Sequence, residues 1–449
     1  MSEPLFKKEG LSLLQPRLTA RDLLIYSHIR KDPIIKSFLW LIDGEDKDTY
    51  ELAQEEARLF ASLAESVEGS TEPMVENAWK NHLLNLILES ENIFSLKAEL
   101  NGLSNMGSSL KKAVENDLRC LQTLFNVDLN MFFKGRCFPL DGFKDSSKGQ
   151  GDELMNLRLN MKRALANWKD WGLHIEDLAE YYRRVGSGIF GKYLAFRWVE
   201  GYLEGIDEPD PTRLEDLIGY EAQRNEVINN TEQFVRGYPA NNMLLYGDRG
   251  TGKSSTVKAL IYRFGGTGLR LVEVSQEDLK DFPQILKGLR KRAGRFILFI
   301  DDLSFDEGER EYKALKAVLE GGIEVQPPNI LIYATSNRRH LVKERFSDSQ
   351  DTSFRKIPGE DGEIHVEDTV QEKLSLSDRF GLTVTFLSPN QEGYLRIVEG
   401  LAEQRGLEIS LEELRRRALQ WELWHNVRSG RTARQFIDQL EGELALKNQ

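Results

Sequence analysis

The stretch NMLLYGDRGTGKSSTVKALIYRF, Asn242–Phe264, decides the fold. It opens on NMLLY, a short apolar run of the kind that makes a buried strand, and closes on STVKALIYRF, whose apolar residues recur at helical spacing. Between them G-D-R-G-T-G-K-S, Gly247–Ser254, fits the pattern G-x-x-x-x-G-K-[ST] in full. A strand that runs through a glycine loop into a helix aims backbone N–H groups and a positive helix end at one point, which suits a polyphosphate. Gly247, Gly250 and Gly252 permit the backbone angles and close approach this requires. Asp248, Arg249, Thr251 and Ser255 complete the expected phosphate-binding stretch. Lys253 is expected to neutralise the β and γ phosphates and the Ser254 hydroxyl to hold magnesium.

Outward from the loop, RFILFIDDL (Arg295–Leu303) supplies an acidic partner. Its apolar residues read as a buried strand, and Asp301 and Asp302 emerge at the carboxyl end, where ligands bind in open α/β sheets. Asp301 is expected to reach magnesium, directly or through water, and Asp302 to polarise an attacking water. The runs LRLVEV, NILIYAT and LTVTF add further strands between helical segments, the pattern of a parallel α/β sheet of five strands flanked by helices. Beyond Pro389 helical patterns alone remain, over Gln391–Gln404, Leu411–His425 and Thr432–Leu446.

Upstream, apolar residues recur at helical spacing from Leu18 to about Cys137 and again from Leu154 to Leu203, where an aromatic-rich stretch reads as core. A polar, glycine-containing loop at 145–153 divides the two, and GIDEPDPTR, with its two prolines, sets a domain boundary near 208. The expected organisation is a mostly helical region over 1–208, an α/β core over 209–388 and a helical lid over 389–449. Among 449 residues, 40% are hydrophobic and 29% charged, the balance of a globular protein of more than one domain. A net charge of −12 gives no global attraction to nucleic acid, and no apolar stretch approaches the length of a membrane helix, so the expectation is a cytoplasmic protein. Cys120, Cys137 and the six dispersed histidines form no metal-binding pattern, leaving magnesium as the expected metal.

These elements, in this order, resemble the AAA+ ATPases over roughly residues 209–449. YGDRGTGKSS, LFIDDLSF, YATSNRRHLV and EKLSLSDRFGL are similar to those of an uncharacterised family of bacterial AAA+ ATPases. The resemblance implies that Asn337, in the segment that follows NILIYAT, senses the γ-phosphate. It implies further that Arg379 in LSLSDRFGL is a finger reaching the ATP of an adjacent subunit, and that Arg434 in GRTARQFIDQL, or alternatively Arg431, is the lid's sensor arginine. LEDLIGYEAQRN resembles the segment that packs on adenine, which nominates Leu217, Ile218 and Gly219. One departure is Asp301-Asp302 where many members carry Asp-Glu. Replication initiators and helicase loaders share Asp-Asp, and the shorter acid favours slow, switch-like turnover.

The implied function is a homo-oligomeric ATPase that uses ATP and magnesium to remodel or load a macromolecular partner, with the N-terminal helical region recruiting a protein. Two alternatives stand beside it: a DNA-associated loader switched by ATP, and a nucleotide-gated scaffold with little hydrolysis. The DNA-associated reading finds support in the Asp301-Asp302 signature and in three basic clusters, Lys287–Arg295, Arg338–Arg345 and Arg415–Arg417, without interleaved aromatics. The first of these clusters reads most simply as a solvated helix face. The acidic, turn-rich insertion 346–369 reads as either functional or disordered.

Overall fold

The computed structural model describes residues 20–43, 48–129, 140, 142–143, 153–304, 310–320, 326–337 and 379–447. The insertion 346–369, the cluster Arg338–Arg345 and Cys137 lie outside them. Two compact units divide the chain, one running to Lys192 together with 266–268, the other comprising 193–265 and 269–449.

The first unit is helical: α1 Pro33–Ile42, α2 Thr49–Glu68, α3 Ala78–Leu88, α4 Ile93–Asn101, α5 Ser108–Phe125, α6 Glu153–Asn167 and α7 Ile175–Val185. Local chemistry sets their starts. The Asp32 side chain accepts from the Ile35 amide with Pro33 at the first position of α1, and Asn92 forms a capping box with Ser95 at α4. Along α5, Val114, Leu118, Leu121 and Phe125 form one buried stripe at helical spacing. From the same helix, buried Asp117 accepts hydrogen bonds from the amides of Leu24, Ile25 and Tyr26, at 3.0, 2.7 and 2.9 Å.

A charged cluster also lies inside this unit. Arg158 and Lys162, one turn apart on α6 and each 1% exposed, both pair with Glu72, through contacts of 2.5 and 2.7 Å. Arg158 also pairs with Glu89 at 2.7 Å and donates to the carbonyl of Gly191 at 3.0 Å. Burial alone would raise the Glu72 pKa, but the attraction of Arg158 and Lys162 overrides it and holds the carboxyl down at about 2.

The second unit is built on a seven-stranded sheet in the order β2-β1-β4-β5-β6-β3-β7. Its strands are β1 Ala195–Val199, β2 Tyr202–Gly205, β3 Met243–Gly247, β4 Leu269–Glu273, β5 Arg295–Ile300, β6 Ile330–Ser336 and β7 Leu382–Phe386. All neighbours pair parallel except β1 with β2. The five expected strands are present, and Phe296 through Ile300 are each fully buried, as a sheet covered on both faces requires.

Two strands correct the expectation. Residues 195–203, read as helical, form with Glu204 and Gly205 a hairpin at the sheet edge, and the second compact unit begins at Tyr193. AFRWV alternates in burial, with Phe196 and Trp198 inside and Arg197 outside, and the Glu200-Gly201 turn has φ of 49° and 90° at its two central residues. Positive φ at both positions is the turn that matches strand twist, and the aromatic residues favour a half-buried pleat.

Helices α8 Glu221–Val235, α9 Lys253–Phe264, α10 Phe282–Leu289 and α11 Arg310–Glu320 connect the strands. The lid follows as α12 Gln391–Gln404, α13 Leu411–His425 and α14 Gly430–Lys447. Its own small core joins Tyr394, Val398, Ala418, Phe436, Ile437 and Leu440. No described helix is long and apolar enough to cross a membrane.

Candidate functional site

The glycine loop leaves β3 at Gly247, where φ is 138° and a Cβ would lie 1.9 Å from the carbonyl oxygen of Phe386. Only a residue without a side chain lets the loop pass so close to β7, and the Asp248 amide donates to that same oxygen at 2.9 Å. The Asp248 carboxylate accepts from the Ser388 amide at 2.6 Å, and its pKa is lowered by the Ser388 side chain first and by that amide second. Gly252, at φ 89°, hands the loop to α9, whose first residue is Lys253. The Lys253 ammonium lies under the loop, donating to the carbonyls of Gly247 (2.9 Å) and Asp248 (2.7 Å) and to Asn337 Oδ1 (3.2 Å). Burial lowers its pKa, opposed by the charges of Asp248, Asp302 and Asp301.

One residue further, the Ser254 hydroxyl donates to Asp301 Oδ1 at 2.5 Å. Because β5 and β6 are adjacent parallel strands, their carboxyl ends bring Asp301, Asp302 and Asn337 to the loop. The Asn337 amide nitrogen donates to Asp302 Oδ1, so this one side chain links Lys253 to the second carboxylate. Thr335, which no sequence motif nominates, donates to Asp301 Oδ1 at 2.6 Å and accepts from the Asp302 amide at 2.9 Å. A signal for it exists: it stands two residues before Asn337, the spacing that returns side chains to one face of an extended chain.

A cavity of about 740 Å³ opens above these groups. Of the expected residues, Leu217–Gly219, Arg249–Ser255, Asp301, Asp302, Asn337 and Arg434 line it, as does the alternative Arg431. The lid closes one side. The Arg431 amide donates to the Gly250 carbonyl at 3.1 Å, and a Cβ on Gly250 would meet the side chains of Arg431 and Ser429, each at 2.9 Å. Ile218 packs on the lid core, and Tyr220, also unforeseen, holds a left-handed backbone at φ 58° while its hydroxyl donates to the Leu387 carbonyl at 2.7 Å. Arg224 on α8 steadies this segment by donating to the carbonyls of Leu214 and Leu217.

Arg379 is not among the residues lining this cavity and forms an ion pair with Glu320 at the end of α11. One basic cluster is paired with acids of the same chain. Arg415 pairs with Glu399, Arg416 with Glu413 and Arg417 with Glu443. In the Lys287–Arg295 stretch α10 stops at Leu289; Lys287, Arg290 and Lys291 are exposed, Arg292 is buried, and Arg295 lies over the Phe234 ring, its guanidinium carbon 5.4 Å from the centroid.

A glycine loop between β3 and α9, paired acids after β5, a polar residue after β6 and a helical lid over the cavity together define a P-loop module of the AAA+ superfamily. Within that superfamily the chain belongs to the family described as "Protein of unknown function (DUF815)", which matches residues 191–444. Over 164 residues it is 25% identical to replication factor C subunit 3 of Schizosaccharomyces pombe, a match covering 35% of this chain and 46% of that protein. The chain thus spans about half the length of this curated relative. Among solved structures it is similar to the RuvB Holliday junction branch migration motor of Thermotoga maritima, at 17% identity and a TM-score of 0.30, over 51% of this chain and 72% of that one. A singly substituted form of the same RuvB gives 16% identity and a TM-score of 0.31, with the same coverage.

Proposed function

We propose that the chain is an oligomeric ATPase that binds and hydrolyses Mg-ATP and couples this to remodelling or loading a macromolecular partner, recruited by the N-terminal helices. The observation that carries this reading is the convergence of Lys253, Ser254, Asp301, Asp302 and Asn337 on one cavity, joined by hydrogen bonds. A lysine ammonium and main-chain amides at a helix start suit a triphosphate. The donor set also suits magnesium, which would be held by the Ser254 hydroxyl and the Asp301 carboxylate. Among the described residues no group of three or more acidic, histidine or cysteine side chains could hold a metal. A hard cation bound by one carboxylate and completed by substrate phosphates matches that arrangement. When bound, magnesium supplies charge neutralisation at phosphate oxygens.

The protein's own groups carry the rest. The loop amides and Lys253 orient the phosphates, Asp302 orients the attacking water and takes its proton, and Asn337 holds Asp302 and contacts the terminal phosphate. Leu217, Ile218 and Gly219 receive the base. Arg434, or Arg431, brings the lid onto the phosphates, and Arg379 serves the site of a neighbouring copy. With an aspartate rather than a glutamate at 302, turnover is slow and the cycle switch-like.

The test is thermal unfolding with and without Mg-ATP. At a concentration about 100 times the dissociation constant, the ligand should stabilise the native state by ~2.7 kcal/mol, and Lys253→Ala should erase that shift. A wild-type protein with no shift at millimolar Mg-ATP sinks the reading. Steady-state phosphate release then separates an ATPase from a scaffold.

A further inference from the structure

Thr335 is 1% exposed, yet its hydroxyl is spent on the acidic turn rather than on its own strand. A threonine hydroxyl has one proton to give and lone pairs to receive. The proton goes to Asp301 Oδ1 at 2.6 Å, and the oxygen receives the Asp302 N–H at 2.9 Å. The Thr335 carbonyl receives the Leu303 N–H at 2.7 Å, so one residue of β6 grips three successive residues of the turn after β5. Ser336 adds a bond from its hydroxyl to the Leu303 carbonyl at 2.9 Å.

That grip has something to hold. Asp302 sits at φ 53°, a left-handed backbone uncommon for residues other than glycine, which persists only where the surroundings impose it. This φ determines where the Asp302 carboxylate points. On Asp301, Oδ1 is saturated by two short bonds from Thr335 and Ser254, while Oδ2 lies 4.0 Å from the Lys258 ammonium. The carboxylate plane is therefore fixed before any ligand arrives.

We infer that Thr335 is a positioning residue for the metal–polyphosphate site, its hydroxyl setting the orientation of Asp301 and the backbone of Asp302 together. The inference rests on the Mg-ATP reading above. Groups that orient a metal ligand from behind typically contribute 10- to 100-fold in metal affinity or activity.

Thr335→Val keeps the shape and β-branching and removes only the hydroxyl; Thr335→Ser keeps the hydroxyl. Two readouts apply: kcat and KM for phosphate release, and calorimetric ATP affinity measured with magnesium and with EDTA. The valine variant should bind ATP in EDTA as the wild type does and lose roughly 10- to 100-fold, either in magnesium-dependent affinity with KM rising in step, or in kcat with KM nearly unchanged. Serine should restore most of the loss. Should the valine chain fail to fold, Thr335→Ala against Thr335→Ser decides in the same way. Valine equal to wild type, or serine as impaired as the variants lacking the hydroxyl, overturns the inference while leaving the ATPase reading standing. A wild-type protein indifferent to Mg-ATP removes both.

Discussion

At the scale of single residues, Gly247 carries a constraint that its place in the glycine pattern does not express. The pattern asks for a glycine near phosphate, whereas the structure asks for one because the β7 backbone at Phe386 occupies the space of a side chain. Gly247→Ala should therefore destabilise the fold itself, by at least about 1 kcal/mol and more if β3 and β7 must part, read as a lower urea midpoint without nucleotide. An unchanged midpoint would mean the strands accommodate a methyl. The residues expected from spacing, Lys253, Ser254, Asp301 and Asp302, and Asn337, which the family resemblance implies, do meet in one cavity, because strand ends and a helix start are local features that a linear pattern can encode. Tyr220 and Arg224 were illegible for the opposite reason, and Thr335 had only its two-residue spacing from Asn337 to mark it. Each acts through a bond to a distant or main-chain partner, and nothing in the linear sequence announces such a partner.

At the scale of elements, most of the strands legible in the sequence were those buried on both faces, where the apolar runs Phe296–Ile300 and Ile330–Ile332 stand out. The edge hairpin escaped because Phe190, Tyr193 and Phe196 fall three residues apart, imitating a helical face, while the alternation in AFRWV lasts only five residues. The charged cluster on α6 was equally hidden, since Arg158 and Lys162 on a helix look solvent-exposed until Glu72 is brought to them. Its consequence can be measured. With Glu72 depressed from 4.5 to about 2, its share of the stability is complete above pH 4.5 and is lost as pH falls toward 2. Glu72→Gln should cost about 3–5 kcal/mol at neutral pH by leaving buried cations uncompensated, and should flatten the acid dependence of melting in that window. Equal acid sensitivity in both proteins would assign the effect elsewhere.

At the scale of the whole molecule, the question is whether one chain suffices. Arg379 is absent from the residues lining its own chain's cavity, and its ion pair with Glu320 keeps it at the end of α11. Mixing Arg379→Ala with Lys253→Ala, each inactive alone, should restore part of the turnover if sites are completed between copies, as an arginine contributing ~10³- to 10⁵-fold in rate would require. No recovery at any ratio would make each chain self-sufficient. The hydrogen bond between Arg431 and Gly250 adds a mechanical consequence. An 18-residue helix rising ~1.5 Å per residue is a rod of ~27 Å, so a pivot of about 10° at that contact sweeps its far tip by ~5 Å. A displacement too small to notice beside the glycine loop would become, at the opposite end of the rod, a stroke as wide as a side chain.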